Sequence, residues 1–445
     1  MAKKSSSKLS KAFPKNNIII LGRGGDAANL LSPSPFQKLE KLLVDIKPKL
    51  TSGQKILPLH LGEPDGGMPL LAKPILAQQK FYDGFGKYPE LLGSNECRMA
   101  IKNWAIRRFS LRANLLATES SVNNILPTSG SREGLAMAIG YAVKKKQIKL
   151  KHQIPLVVIT NPFYHVYQAS GVMAGAEVMA IHCFDEMQLD KNHIAKKLSL
   201  ADGILSLPLA TQKRIAAIVV CTPDNPTGRI LTMTEMEHLY DIARQCDSFV
   251  ISDECYSDLY DGVPSISFLN HADNGFGLGR MIISNSLSKR SGVPGLRAGV
   301  LIGDRAVIKE MAILRAHLSA IHPQSLQMIA TDLWNDDAHV VVNRQKYNRR
   351  AKTAATVIGR SPSFQMPSAG FFLYLRFDKN VGGAAMVRDI YAATGIKLLP
   401  AIFMAGQTAD DTKNPAYAYA RLSMIIDGDE WLSVLQQLKP FLLLE

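Results

Sequence analysis

The segment richest in chemistry places a lysine just past a short apolar strand. Residues 284–297 hold Ser284, Ser286, Ser288 and Lys289, with Arg297 eight positions further on. Sheets of the α/β class bind ligands outside the carboxyl ends of their parallel strands. A lysine amine at such an end can form a Schiff base with an aldehyde cofactor, while hydroxyls and a guanidinium hold a phosphate. Taken alone, the same residues would also suit a solvated surface loop. A second segment, residues 250–256, ends an apolar strand on Asp253. A carboxylate in that place is costly unless a partner offsets its desolvation. A protonated pyridine nitrogen is an adequate partner, and Tyr256 stands close enough to hydrogen-bond a phenolate oxygen on the same ring. Asn225 lies in the turn-like stretch 224–228 and can bring its amide to that oxygen. Ser129, Gly130 and Ser131 open a helix, where small residues expose backbone N–H groups to a phosphate at the positive end of the dipole.

These residues need a frame, and hydrophobic periodicity supplies one. Helical spacing is read over residues 35–46, 96–109, 131–143, 167–174 and 234–245. Short, wholly apolar strands are read at 125–127, 156–160, 177–181, 215–221, 249–252 and 281–284. Thr232 and Glu235 form a plausible capping box before the 234–245 helix. Strands that are apolar on both faces and alternate with helices predict a mostly parallel sheet covered on both sides. The C-terminal part reads differently: a long helical stretch over 305–350, interrupted near Pro323, then a strand at 371–377. A helix at 384–393, a strand at 419–425 and a closing helix at 429–438 follow. The expected architecture is therefore α/β, a large domain with a mixed, mostly parallel sheet plus a smaller α+β domain. The expected boundaries are a flexible basic extension over 1–32, an arm and helix over 33–66 that join the small domain, a large domain over 67–320 and a small domain over 321–445.

Composition narrows the function classes. The chain has 445 residues, 47% hydrophobic and 20% charged, which is ordinary for a globular protein. Its apolar runs are far shorter than the roughly 18–20 residues of a membrane span, so no membrane partner is expected. Of a net charge of +14, six charges come from Lys3, Lys4, Lys8, Lys11, Lys15 and Arg23. The rest is spread without basic blocks or interleaved aromatics, so a solvated tail is expected rather than a nucleic-acid surface. Gly22, Gly24 and Ala27 match a dinucleotide-binding fingerprint, but Pro33 and Pro35 allow at most two turns of the helix it requires, so the match is weak. The five cysteines are odd in number, with no Cys-x-x-Cys pair. A disulfide framework and a structural metal site are therefore not expected, and a cytoplasmic location fits. His60, His165 and His182 lack ligand spacing and read as structural, and Cys255 reads as a core thiol facing away from the site.

In this order and spacing, the four chemical segments resemble those of the fold-type I pyridoxal-phosphate aminotransferases of classes I and II, over roughly residues 33–440. The resemblance implies pyridoxal 5′-phosphate as cofactor and three catalytic residues, Lys289, Asp253 and Tyr256. It makes Lys289 the cofactor-bearing lysine and proton shuttle, Asp253 the partner of the ring nitrogen, and Tyr256 and Asn225 ligands of the ring oxygen. Ser286, Ser288, Arg297, Gly130, Ser131 and Arg132 then surround the phosphate, and Tyr164 stacks on the ring. Arg421, with Gly62 and Asn225 beside it, takes the substrate α-carboxylate. Tyr88 matches the tyrosine given to the partner subunit's phosphate, which implies a homodimer acting on small amino and keto acids. The stretches 31–39, 61–64, 161–164 and 284–297 are similar to those of succinyldiaminopimelate transaminases. That implies amino transfer between glutamate and N-succinyl-2-amino-6-oxopimelate in lysine and diaminopimelate biosynthesis, with Lys87 and Arg290 as candidates for the distal end. An aspartate or other amino-acid aminotransferase stays open, as does another reaction on the same scaffold, such as a β-lyase or a cyclopropane-forming synthase. A sensor-type transcription regulator would need a DNA-binding module, for which residues 1–33 are too short.

Overall fold

Aliphatic runs with no polar face form strands that only a sheet covered on both sides accommodates, and residues 125–303 contribute seven to one sheet. The computed structural model describes residues 13–14, 17–22, 33–50, 53–119, 122–189, 195–318, 321–406, 408 and 410–443. In chain order the first half runs β1 (Ile18–Gly22), α1 (Pro35–Leu43), α2 (Asn95–Phe109), β2 (Ile125–Thr128), α3 (Ser131–Leu150), β3 (Leu156–Asn161), α4 (His165–Met173) and β4 (Glu177–His182). Next come β5 (Ile215–Cys221), α5 (Met233–Gln245), β6 (Phe249–Asp253), β7 (Met281–Ser286), the single turn α6 (Leu287–Arg290) and β8 (Gly299–Gly303). The rest comprises α7 (Arg305–Leu318), α8 (Gln324–Asn335), α9 (Ala338–Ile358), β9 (Phe372–Arg376), α10 (Gly383–Thr394), β10 (Leu399–Pro400), β11 (Tyr419–Ser423) and α11 (Gly428–Leu438).

The eight-stranded sheet has the order β1-β4-β3-β5-β6-β7-β8-β2. Neighbours from β4 to β7 pair in parallel, while β1 on β4 and β8 between β7 and β2 run antiparallel. Strands β2, β3, β5, β6 and β7 thus all end on one side, and register aligns Asp253 with Cys221 on one neighbour and Ser284 on the other. One face packs on α2, α5 and α8 through Trp104, Leu239 and Trp334, the other on α3, α4 and α7 through Ile139, Tyr167 and Ile308. A second core surrounds the antiparallel sheet β9-β11-β10 and takes in Leu39 of α1, Ala351 of α9, Ile390 of α10 and Trp431 of α11. This core also contains Cys221, Cys255 and Tyr256, so it reaches the carboxyl ends of the large sheet. The fold is the expected α/β class. Among the described residues no helix is long and apolar enough to cross a membrane.

Several local expectations change. Within the stretch expected to be a flexible extension, Ile18–Gly22 instead forms an edge strand, Ile18 opposite Ile181, with Ile19 and Leu21 buried and Ile20 exposed. That alternation has a physical source: one face of β1 covers the sheet edge and the other meets water. Residues 1–12, 15, 16 and 23–32 lie outside the described residues, and with them the basic cluster and most of the fingerprint-like stretch. Strand β8 was not read at all, because two of its five residues are glycine and its neighbours, not its pattern, hold it in place. The capping box at Thr232 and Glu235 is present, with the helix beginning at Met233.

Candidate active site

The strand ends surround a cavity of about 360 Å³. Beyond β7 the chain makes the single turn α6, which carries Lys289 into this cavity. Its ammonium donates to the Gly62 carbonyl and lies 5.2 Å from the centre of the Phe371 ring. Burial, aided by the Arg421 charge and opposed by Cys255, Glu63 and Asp253, lowers the Lys289 pKa to about 8. Asp253 closes β6 as a buried carboxylate: Oδ2 accepts from the Tyr167 hydroxyl at 2.8 Å and Oδ1 from the Cys255 amide at 3.2 Å. Desolvation raises its pKa, against the pull of those two donors and Lys289. Tyr256 lines the same cavity, its buried ring set against Phe371 and Phe372 at 5.9 and 5.8 Å.

The anion-binding elements sit at the opposite lip. Gly130 precedes α3 at φ +88°, and a Cβ there would meet an Arg297 guanidinium nitrogen at 2.2 Å, so only glycine fits. Arg297 donates to the Ser129 carbonyl at 3.1 Å and the Pro294 carbonyl at 2.8 Å, and lines the cavity with Ser131 and Ser288. The Ser286 hydroxyl lies one layer behind, donating to the Ser288 hydroxyl at 2.9 Å and accepting from its amide at 3.0 Å. Arg132 donates through Nε to the Tyr164 hydroxyl at 3.0 Å, and both face the cavity.

From the second sheet, β11 brings in Arg421. Its guanidinium donates to Asn225 Oδ1 at 3.0 Å and the His60 carbonyl at 2.6 Å, and lies 4.3 Å from the Phe372 ring centre. Burial lowers its pKa to about 10, and its Nε is buried with no partner among the described residues. A desolvated arginine that lines a cavity is a receptor for a carboxylate. Gly62 is held beside it, since a Cβ there would touch the Phe372 ring at 3.3 Å and the guanidinium at 3.6 Å.

Of the residues read from sequence, Gly62, Ser131, Arg132, Tyr164, Asn225, Asp253, Tyr256, Ser288, Lys289, Arg297 and Arg421 all line this cavity. Gly130 and Ser286 stand directly behind it. Tyr88 does not: its side chain is fully exposed on the surface of the single chain. Arg290 is also elsewhere, buried in ion pairs with Asp258 at 3.2 Å and Asp337 at 2.6 Å, and Lys87 is exposed. Cys255 was expected to face away but lines the cavity, because β6 ends at Asp253 and the side-chain alternation of a strand stops there. His165 also lines it, its pKa lowered to about 4 by burial, and by the Arg132 and Arg421 charges. Tyr167 went unread as a site residue, although it follows Tyr164 at i+3, the spacing that puts both on one helix face. Phe36 and Glu63 also line the wall; both fall in stretches that carry the resemblance, 31–39 and 61–64, without being singled out as site residues. Among the described residues no group of three His, Cys, Asp or Glu could hold a metal ion.

Comparison with known proteins shows the family and the fold. The family described as aminotransferase class I and II matches residues 55–404. An LL-diaminopimelate aminotransferase of Dehalococcoides mccartyi is 24% identical over 373 residues, covering 83% of this chain and 88% of that protein. The 4-dedimethylamino-4-oxo-anhydrotetracycline transaminase OxyQ of Streptomyces rimosus is 27% identical over 320 residues, 71% of this chain and 77% of that protein. Among solved structures, an aminotransferase from Neisseria meningitidis superposes with a TM-score of 0.81 at 26% identity, covering 93% of this chain and 99% of the other. An aspartate aminotransferase of Thermus thermophilus shares the fold, at TM-score 0.74 and 19% identity over 94% of this chain and 100% of the other.

Proposed function

The chain belongs to the aminotransferase class I and II family, and from that membership we propose that it transaminates a diaminopimelate-type substrate. The family is pyridoxal-phosphate-dependent, and the chain is a transaminase acting on amino and keto acids. The observation that carries the site assignment is the grouping of an enclosed lysine amine, a buried carboxylate and a buried arginine around one cavity. These residues fit the cofactor: among the described residues the buried Asp253 carboxylate has only the Tyr167 hydroxyl and the Cys255 amide as hydrogen-bond donors, and the positive φ of Gly130 lets the backbone at the start of α3 pass close to Arg297.

When bound, pyridoxal phosphate supplies an electron sink for the pair left at the substrate Cα. Asp253 would hold a proton at the ring nitrogen, with Tyr167 keeping its carboxylate in place. Tyr256 and Asn225 would face the ring oxygen, and Tyr164 the ring plane. Ser131, Ser286, Ser288, Arg297 and Arg132 would hold the phosphate. Lys289, the cofactor-bearing residue, would take the proton from Cα and return it as general base and acid. Arg421 and Gly62 would fix the α-carboxylate, and so decide which Cα bond stands perpendicular to the ring.

For the substrate, the wall sets four cations, Arg132, Lys289, Arg297 and Arg421, against two acids, Glu63 and Asp253. That balance supports a polyanionic ligand. We assign amino transfer between glutamate and N-succinyl-2-amino-6-oxopimelate. The buried ion pairs of Arg290 remove that residue as a ligand for its distal end. Transfer to and from unacylated LL-diaminopimelate is the second reading, favoured by the names of several relatives. A homodimer is supported by the exposed apolar segment around Tyr88, and a reducing cytoplasm by five buried, free cysteines. A coupled assay with purified protein, comparing succinylated and free diaminopimelate, aspartate and phenylalanine with 2-oxoglutarate, decides among these. The succinylated substrate is expected to lead. Aspartate or phenylalanine faster by about ten-fold, roughly 1.4 kcal/mol in barrier, overturns the substrate and leaves the transaminase intact.

A further inference from the structure

The long helix α9 packs beside α6, and one stripe of its polar side chains reaches the loops at Lys289. His339, Asn343, Lys346, Tyr347 and Arg350 fall within an arc of about 100° at 3.6 residues per turn. Each contacts one of the two loops that meet at the Lys289 amine. His339 Nε2 lies 2.8 Å from the Ser291 hydroxyl. The Asn343 amide donates to the carbonyl of Lys289 at 3.0 Å and of Arg290 at 3.1 Å. On the other loop, Asp65 accepts from Lys346 at 2.9 Å, the Tyr347 hydroxyl at 3.1 Å and Arg350 at 2.6 Å. That loop begins at Gly62, whose carbonyl takes the Lys289 ammonium. The two loops also meet backbone to backbone, where a Cβ on Gly66 would lie 3.2 Å from the Gly292 carbonyl oxygen.

The key contact is Asn343. Helix α6 is a single turn, and the last carbonyls of any helix lack intrahelical donors. A two-carbonyl acceptor demands an NH₂ group, which fixes the orientation of the amide. The bond therefore fixes the backbone of the reactive lysine from outside the cavity, without Asn343 lining it. We propose that Asn343 is a positioning residue for Lys289, and that α9 sets the distance between the lysine amine and the Gly62 carbonyl by gripping both loops at once. This rests on Lys289 being the cofactor-bearing residue.

The test compares Asn343→Leu and Asn343→Asp with Asn348→Ala. Asn348, on the same helix, also makes two bonds, at 3.0 and 3.1 Å, but to Tyr260 and Asp261. Two readouts are taken: kcat against KM in the holoenzyme, and the rate at which cofactor-stripped protein captures pyridoxal phosphate, followed by its visible band. Both Asn343 variants are expected to lose about ten- to a hundred-fold in kcat, with KM for glutamate within about two-fold of the parent. Both are also expected to capture cofactor about ten-fold more slowly. Asn348→Ala is expected to match the parent in both readouts. Asn343 variants that behave like Asn348→Ala overturn the proposal, as does failure of both to fold, since Asn343 would then serve the fold alone. The functional reading is checked separately: if borohydride fixes no cofactor on Lys289 of the parent protein, that reading falls, whatever the variants do.

Discussion

At the scale of single residues, Lys289 and Asp253 are opposite cases of one effect. Burial disfavours charge, so it lowers the lysine pKa and raises that of the aspartate. Only the neutral amine attacks an aldehyde, so cofactor capture by the stripped protein should accelerate as pH rises, with a midpoint near about 8. Stopped-flow absorbance against pH checks this, and a midpoint near the ordinary lysine value would sink it. Asp253→Asn should keep the fold yet reduce turnover by several orders of magnitude, because an amide cannot hold the ring proton. Near-normal turnover would refute the assignment. Tyr167→Phe removes a hydrogen bond to a charged group, worth about 1.5–3 kcal/mol, and should weaken cofactor binding by roughly ten-fold or more. Titration of the visible band measures it. Residues with unusual chemistry at a strand end, such as Lys289 and Asp253, could be read from sequence. Tyr167 offers only its i+3 spacing from Tyr164, because its bond to Asp253 depends on how α4 packs against β6, and Phe371 and Phe372 look like any other core aromatics.

At the scale of elements, strands β3, β5 and β6 are legible because burial on both faces confines their polar residues to the carboxyl ends. Strand β8 and the two-residue β10 were not legible, since tertiary pairing rather than pattern defines them. The junction after β6 also holds a group that sequence gave no reason to single out. Glu254 is fully buried, accepts from the Ser252 hydroxyl and the Phe268 amide at 3.0 Å each, and so ties the strand end to the turn at 267–271. Burial pushes its pKa up to about 7, against these hydrogen bonds and the Arg108 charge. The folded state therefore binds this proton more tightly than the unfolded chain. The stabilisation is full below the unfolded value near 4.5 and is lost as pH rises through about 7. The Tm difference between the parent and Glu254→Gln should accordingly favour the parent more at pH 5 than at pH 8. The underlying change is at most about 3 kcal/mol. Equal differences at both pH values would remove the pH role from Glu254.

At the scale of the whole molecule, the single chain leaves its anion-binding lip open, with Arg132 and Arg297 exposed. One segment also leaves an unusual amount of apolar surface: Leu70 is 73% exposed, Tyr82 57%, Phe85 59% and Tyr88 100%. Large apolar side chains exposed together in one segment mark an interface more often than a free surface. A two-fold axis would bring the same patch from both copies together, and Tyr88 would then reach the partner subunit's lip rather than its own. Complementation distinguishes the two geometries. Lys289→Ala chains lack the amine but keep Tyr88, and Tyr88→Ala chains lack the tyrosine but keep the amine. If Tyr88 acts across the interface, a mixed dimer contains one site with both residues intact and one with neither. Unfolding and refolding the two inactive variants together should then restore up to about a quarter of the parent's sites, since half the dimers are mixed and each has one intact site. If Tyr88 served its own chain, every site in the mixed dimer would carry one lesion, and if it served no site, Tyr88→Ala would be active by itself; in both cases the mixture would show only the average of its two parents. Activity at limiting cofactor concentration, measured alongside sedimentation equilibrium to count dimers, reads the outcome directly.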